Sequence, residues 1–104
     1  MVLMIDIQKE ARNHYVARAC VGGVEVTDVV AYERIAAAIA GQASAIPEGF
    51  AHFVEFTYSG MSTGTQLPSE AVACAEELAN RLVQLQATAH ELNRHLSGSA
   101  TPAA

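Results

Sequence analysis

The sequence predicts an α+β fold: a two-layer sandwich with helices on one face of a mainly antiparallel sheet of about four strands. Three observations point there. Residues 2–8, 14–21 and 50–58 alternate apolar with other side chains at the period of two that strands require. A Gly22-Gly23 pair stands between β-branched residues. Residues 69–96 carry apolar side chains at spacings of four and three, with no Gly or Pro inside. The element order reads β-β-β-α-β-α, and residues 1–96 form a single domain.

In residues 2–8, Leu3, Ile5 and Ile7 face one way and Met4, Asp6 and Gln8 the other. Residues 9–13 are polar and read as a turn. The second strand, residues 14–21, puts Tyr15, Ala17, Ala19 and Val21 on one face. Both central positions of a type I′ turn need positive φ, so Gly22-Gly23 reads as a hairpin tip. It pairs Val21 with Val24 and Ala19 with Val26.

Thr27 or Asp28 is the expected N-cap of a helix running to about Ala40, with Gly41 in the C′ position. Val29, Tyr32, Ile35, Ala36 and Ile39 share one of its faces. Residues 42–49 connect, punctuated by Pro47 and Gly49. Residues 50–58 carry aromatics on both faces, which suits a central strand. Residues 59–67 read as a Gly/Ser/Thr loop. Pro68, Ser69 and Glu70 then open the last helix. The segment 97–104 is small and polar and reads as a disordered tail.

Composition narrows the function classes. At 104 residues and 51% apolar, much of it alanine, the chain has a modest core and gains from association. Acidic residues outnumber basic ones, 11 to 6. Lys9, Arg12, Arg18, Arg34, Arg81 and Arg94 are scattered, whereas phosphate neutralisation needs a basic stripe. That argues against nucleic acid and against anionic membrane surfaces. The apolar opening, residues 1–5, is too short for a signal peptide, and no stretch reaches membrane-spanning length. Two cysteines are no disulfide framework. The expected setting is cytoplasmic, with reduced thiols.

The expected site is the last helix. Ala71, Ala75, Leu78, Leu82, Leu85, Ala89, Leu92 and Leu96 make a heptad stripe. A helix over residues 69–96 is about 42 Å long at 1.5 Å per residue. A domain of this size is only about 32 Å across, and a strand of eight residues spans about 26 Å. Packing along its own sheet would therefore leave part of the stripe bare. Leu78, Leu82, Leu85, Ala89, Leu92 and Leu96 are the expected interface, in a homodimer or with a larger partner protein. The few flanking charges leave parallel and antiparallel pairing open. This is the reading of a non-enzymatic interaction module: an adaptor, a chaperone-like protein or an inhibitor. The alanine-rich composition and the size suit a bacterial or phage accessory protein. Its acidic surface, with Glu25, Glu33, Glu48, Glu55, Glu76 and Glu77, suits a basic partner.

The alternative is a small-ligand or anion-binding protein, or an enzyme. Ser59, Gly60, Ser62, Thr63, Gly64 and Thr65 lie between a strand and a helix start, where backbone amides bind anions. No Gly-Lys-Ser/Thr ending and no GxGxxG spacing supports a nucleotide loop. A pocket between sheet and helices would take His52, Tyr58 and Tyr15 as polar contacts. No metal site and no cofactor are expected. His90 and His95 are five apart and lie on different helix faces, and His52 and Glu55 lie on opposite strand faces. No Ser stands in a nucleophile elbow, and Cys20 and Cys74 read as small hydrophobes, so no catalytic residue is assigned.

Overall fold

The computed structural model describes residues 2–100, the last six as backbone only. The strands are β1 (Val2–Ala11), β2 (His14–Val21), β3 (Val24–Glu25), β4 (Val30–Tyr32), β5 (Phe53–Tyr58) and β6 (Met61–Gln66). The helices are α1 (Ile35–Ser44), between β4 and β5, then α2 (Pro68–Ala73) and α3 (Ala75–Ala100). The fold is α+β with helices packed on one face of the sheet, but the sheet is mixed and has six strands. Its order is β3-β2-β1-β5-β6, with β4 also on β2. β1 pairs antiparallel with β2 and parallel with β5.

The Gly22-Gly23 hairpin forms as its residues dictate, with φ of 59° and 84°. Val21 pairs with Val24, and Val26 donates to the Ala19 carbonyl at 2.9 Å. β1 runs past Gln8 to Ala11, and the turn narrows to Arg12-Asn13, with Asn13 at φ 58°.

Two added strands account for the higher count. The expected helix from Thr27 does not form there. Residues 30–32 pair instead with residues 15–17 of β2, and α1 starts at Ile35. The reason is local: Val29-Val30 is β-branched, and β2 beyond its β3 pairing still has an edge to satisfy. Val29 and Tyr32 therefore lie off the helix, while Ile35, Ala36 and Ile39 are buried on it. Gly41 is not a C′ residue but lies inside α1, under the Tyr32 ring.

The expected 59–67 loop is a tight hairpin. Ser59 (φ 53°) and Gly60 (φ 82°) make its two-residue turn, and β6 returns along β5. Opposite Phe56, β6 carries an extra residue: Thr57 pairs with Ser62 but Glu55 with Thr65, so Thr63 and Gly64 share one place. This is a bulge, and Gly64 takes its positive φ of 74°.

The core lies on the helical side. Leu3, Ile5 and Ile7 of β1, Ala17 and Ala19 of β2, and Val54 and Phe56 of β5 meet Ile35 and Ile39 of α1. Ala71, Ala75, Leu78 and Leu82 close it. The opposite sheet face carries polar cross-links beside the exposed side chains of Val2, Met4 and Phe53. Thr57 donates to Asp6 at 2.8 Å, Arg18 to Glu25 at 3.0 Å and Ser62 to Glu55 at 2.7 Å. Cys20, beside Met4 on that face, and Cys74, in the helical layer, are free and stand on opposite sides of the sheet.

The helical backbone continues to Ala100, so residues 97–100 of the expected tail belong to α3; the remaining four lie outside the described residues. The molecule measures 55 × 28 × 24 Å.

Candidate functional site

The expected single helix is two. Cys74 leaves helical geometry at φ −111°, ψ 22°. Hydrogen bonds still pass the break: Cys74 N–H donates to Glu70 at 2.8 Å, and Leu78 N–H to Cys74 at 2.9 Å. α3 then runs for 26 residues, about 39 Å.

Its inner part is spent on the core. Ala75, Leu78, Ala79 and Leu82 are buried against sheet and α1. Leu78 and Leu82, expected at an intermolecular interface, are therefore core residues. Past Leu82 the sheet no longer lies beneath the helix in the same way. Gln86, Ala89, His90 and Asn93 line a groove against Ser59 and Met61 at the β5–β6 hairpin tip. Ala89 is half-buried, while Leu85 and Leu92 are 39% and 56% exposed. The side chain of Leu96 lies outside the described residues.

Helix geometry explains the sequence of exposures. A straight helix drifts about 20° per heptad against a strict seven-residue repeat. Leu78, Leu85 and Leu92 are seven apart, so each stands further round the helix than the last. Leu78 is 3% exposed, Leu85 39% and Leu92 56%. The stripe winds off the core instead of running along it. At 100° per residue, Leu92 points opposite Val83. Val83, with Glu76, Ala79 and Asn80, lines the groove toward Arg34, Ile35 and Ala36 at the start of α1. Leu85 and Leu92 thus share the flank turned away from α1.

The 59–65 segment does not form an open anion loop. Ser62 hydroxyl donates to Glu55 Oε2 and accepts the Gly64 N–H at 3.0 Å. Thr63 hydroxyl accepts the Phe56 N–H at 3.2 Å and donates to the Gly64 carbonyl at 3.0 Å. These hydroxyls are engaged within the hairpin, and the Glu55 carboxylate beside Ser62 repels an anion. α2 has six residues and no side-chain cap.

Of the expected polar contacts, Tyr15 and Tyr58 come together, with ring centroids 6.2 Å apart and planes at 57°. Partial burial, then charge repulsion from the Tyr15 phenol, raise the Tyr58 phenol above its ordinary 10.0. His52 precedes β5 and lies at the far end of that strand from Tyr58. Ion pairs are exposed: Arg18–Glu25, Arg94–Glu91 and His14–Glu10 are close in sequence, while Arg34–Glu76 ties the start of α1 to α3. Among the described residues no group of three or more His, Cys, Asp or Glu could hold a metal ion. No helix among them is long and apolar enough to cross a membrane.

A pocket between sheet and helices is present, but His52, Tyr58 and Tyr15 do not line it. A cavity of about 230 Å³ opens between the sheet and the C-terminal end of α1, lined by Leu3, Ala19, Gln42 and Phe50 among others. Its position is marked in the sequence by Gln42, a glutamine within the otherwise small and apolar run 35–43.

No protein-family model, curated protein or solved structure matches the chain.

Proposed function

We propose that the protein is a non-enzymatic interaction module that binds another protein through the outer half of α3, either a second copy of itself or a larger partner. The observation that carries this reading is the exposed flank of Leu85 and Leu92 on a helix that outreaches its own sheet. Covering the open parts of both leucines is worth roughly 1.5–3 kcal/mol, the value of one fully buried leucine. Ala89 between them lets a partner approach closely. Anchors at i, i+4 and i+7 are those an amphipathic helix offers to an apolar groove. The net charge of −5 favours a basic or neutral partner surface. Such a protein would serve as an adaptor, a chaperone-like factor or an inhibitor.

The test is light scattering over a concentration series, for the wild type and for Leu85→Glu with Leu92→Glu. Both positions are exposed, so the double variant should keep its fold, as circular dichroism will check. An oligomer that the double variant abolishes supports self-association. A wild type monomeric up to high micromolar concentration rules self-association out. The larger-partner reading is then tested in cells with a photoreactive residue at Leu92. If Leu92 gives no adduct beyond that of a photoreactive residue at Gln84, the interaction reading fails.

A further inference from the structure

Among the described residues, the cavity beside α1 combines a buried floor with an apolar rim. Its floor is core: Leu3, Ala19 and Gln42 are all buried. Its rim is apolar and open, with Val26 and Phe50 about two-fifths exposed. Thr27 is the other polar residue of the lining, and no charged side chain takes part. Its volume of about 230 Å³ compares with about 150 Å³ for a dry cavity that holds benzene.

Gln42 sets the chemistry. It is 8% exposed, in a helix whose other buried residues are Ile and Ala. One of its N–H groups donates to Tyr32 Oη at 2.9 Å. Among the described residues its carbonyl oxygen accepts no side-chain hydrogen bond, and no buried side-chain polar atom is orphaned. That oxygen is therefore not buried, and Gln42 lines the cavity floor. A free acceptor there matches a head that donates a hydrogen bond, such as a primary amide. The lining offers no cation to a carboxylate, so an anionic head is disfavoured.

We infer that this cavity binds a small uncharged molecule with a short aliphatic chain and an amide-like head, the chain against Leu3, Ala19 and Ile46 and the head on Gln42. The site is separate from α3 and stands whether or not that helix docks.

Hexanamide is the probe, followed by methyl carbon–proton spectra of the full chain. A ligand of about eight heavy atoms should bind with a Kd of roughly 0.1–1 mM. The methyls of Leu3, Ala19, Val26 and Ile46 should shift and saturate together. Ala45 lies exposed in the cavity wall just past α1, in a helical conformation that accepts any side chain. Ala45→Phe should plug the mouth and abolish the shifts without touching the core. Gln42→Leu should keep the chain contacts and weaken hexanamide about tenfold, the effect of one net hydrogen bond. Hexanoate should bind at least tenfold more weakly than hexanamide to the wild type. The inference is overturned by the absence of saturable shifts in these methyls, or by shifts that survive Ala45→Phe. Hexanoate binding as tightly as hexanamide overturns it equally.

Discussion

Replacing Gly41 by alanine should destabilise this protein, although the same change stabilises an ordinary helix interior. Gly41 lies within α1, where alanine is favoured by about 1 kcal/mol on helix propensity alone. A Cβ there would sit 2.6 Å from Tyr32 Cε1 and 2.9 Å from its hydroxyl, closer than such atoms approach. The ring must move off α1. Its hydroxyl then leaves Gln42, whose amide is buried and loses its partner at a cost of roughly 1–3 kcal/mol. Lost ring burial adds about 1 kcal/mol. The net change is a loss of roughly 1–3 kcal/mol, which lowers Tm by about 5–15 °C for a domain of this size. The decisive assay is a double-mutant cycle with Tyr32→Ala, read by urea denaturation. With the ring gone, Gly41→Ala should gain about 1 kcal/mol, so the sign reverses. Additive effects, or a gain in the wild-type background, would refute the claim that Tyr32 is why a glycine stands there.

Two further outcomes follow from the hairpin and the tyrosine pair. Thr63→Val nearly conserves volume but removes the hydroxyl that accepts the buried Phe56 N–H, so urea denaturation should show a loss of roughly 1–3 kcal/mol; an unchanged midpoint would mean the bulge satisfies that amide otherwise. Tyr58 has its pKa raised in the fold, so the folded state holds this proton more tightly than the unfolded chain does. Its contribution is fully present below the unfolded value of about 10 and lost as pH rises through the folded one. Denaturation midpoints should therefore fall more steeply above that pH in the wild type than in Tyr58→Phe, and identical profiles would exclude the effect.

The parts of this fold legible in the sequence are those that local physics decides alone. Leu3, Ile5 and Ile7 alternate cleanly, and the two glycines at 22 and 23 admit one kind of turn. β4 was not legible because Val30-Ala31-Tyr32 fits a helical spacing as well as a strand, and only the open edge of β2 chooses between them. Gly41 misled for a related reason. A glycine after an apolar helical run looks like a terminus, and nothing nearby in sequence announces a tyrosine ring overhead. β6 hid behind its composition: Ser-Thr-Gly-Thr has little to bury, and its pairing comes from β5. In the candidate site, the heptad spacing singles out Leu85 and Leu92, and both are exposed. The fate of Leu78 and Leu82 was not legible, since a heptad count ignores the slow rotation of a straight helix.

The crimp that Thr63 and Gly64 put into β6 has a consequence for crowded solutions. β6 is the outer rim of the sheet on that side, and none of its six residues is charged. A flat, neutral rim invites stray strands to zip onto it, and repetition of that event makes fibres. Here the row of unpaired amides and carbonyls is thrown out of line in its middle, so an incoming strand finds no straight template. The bulge thereby guards this rim against fusing edge to edge with the sheet of another copy.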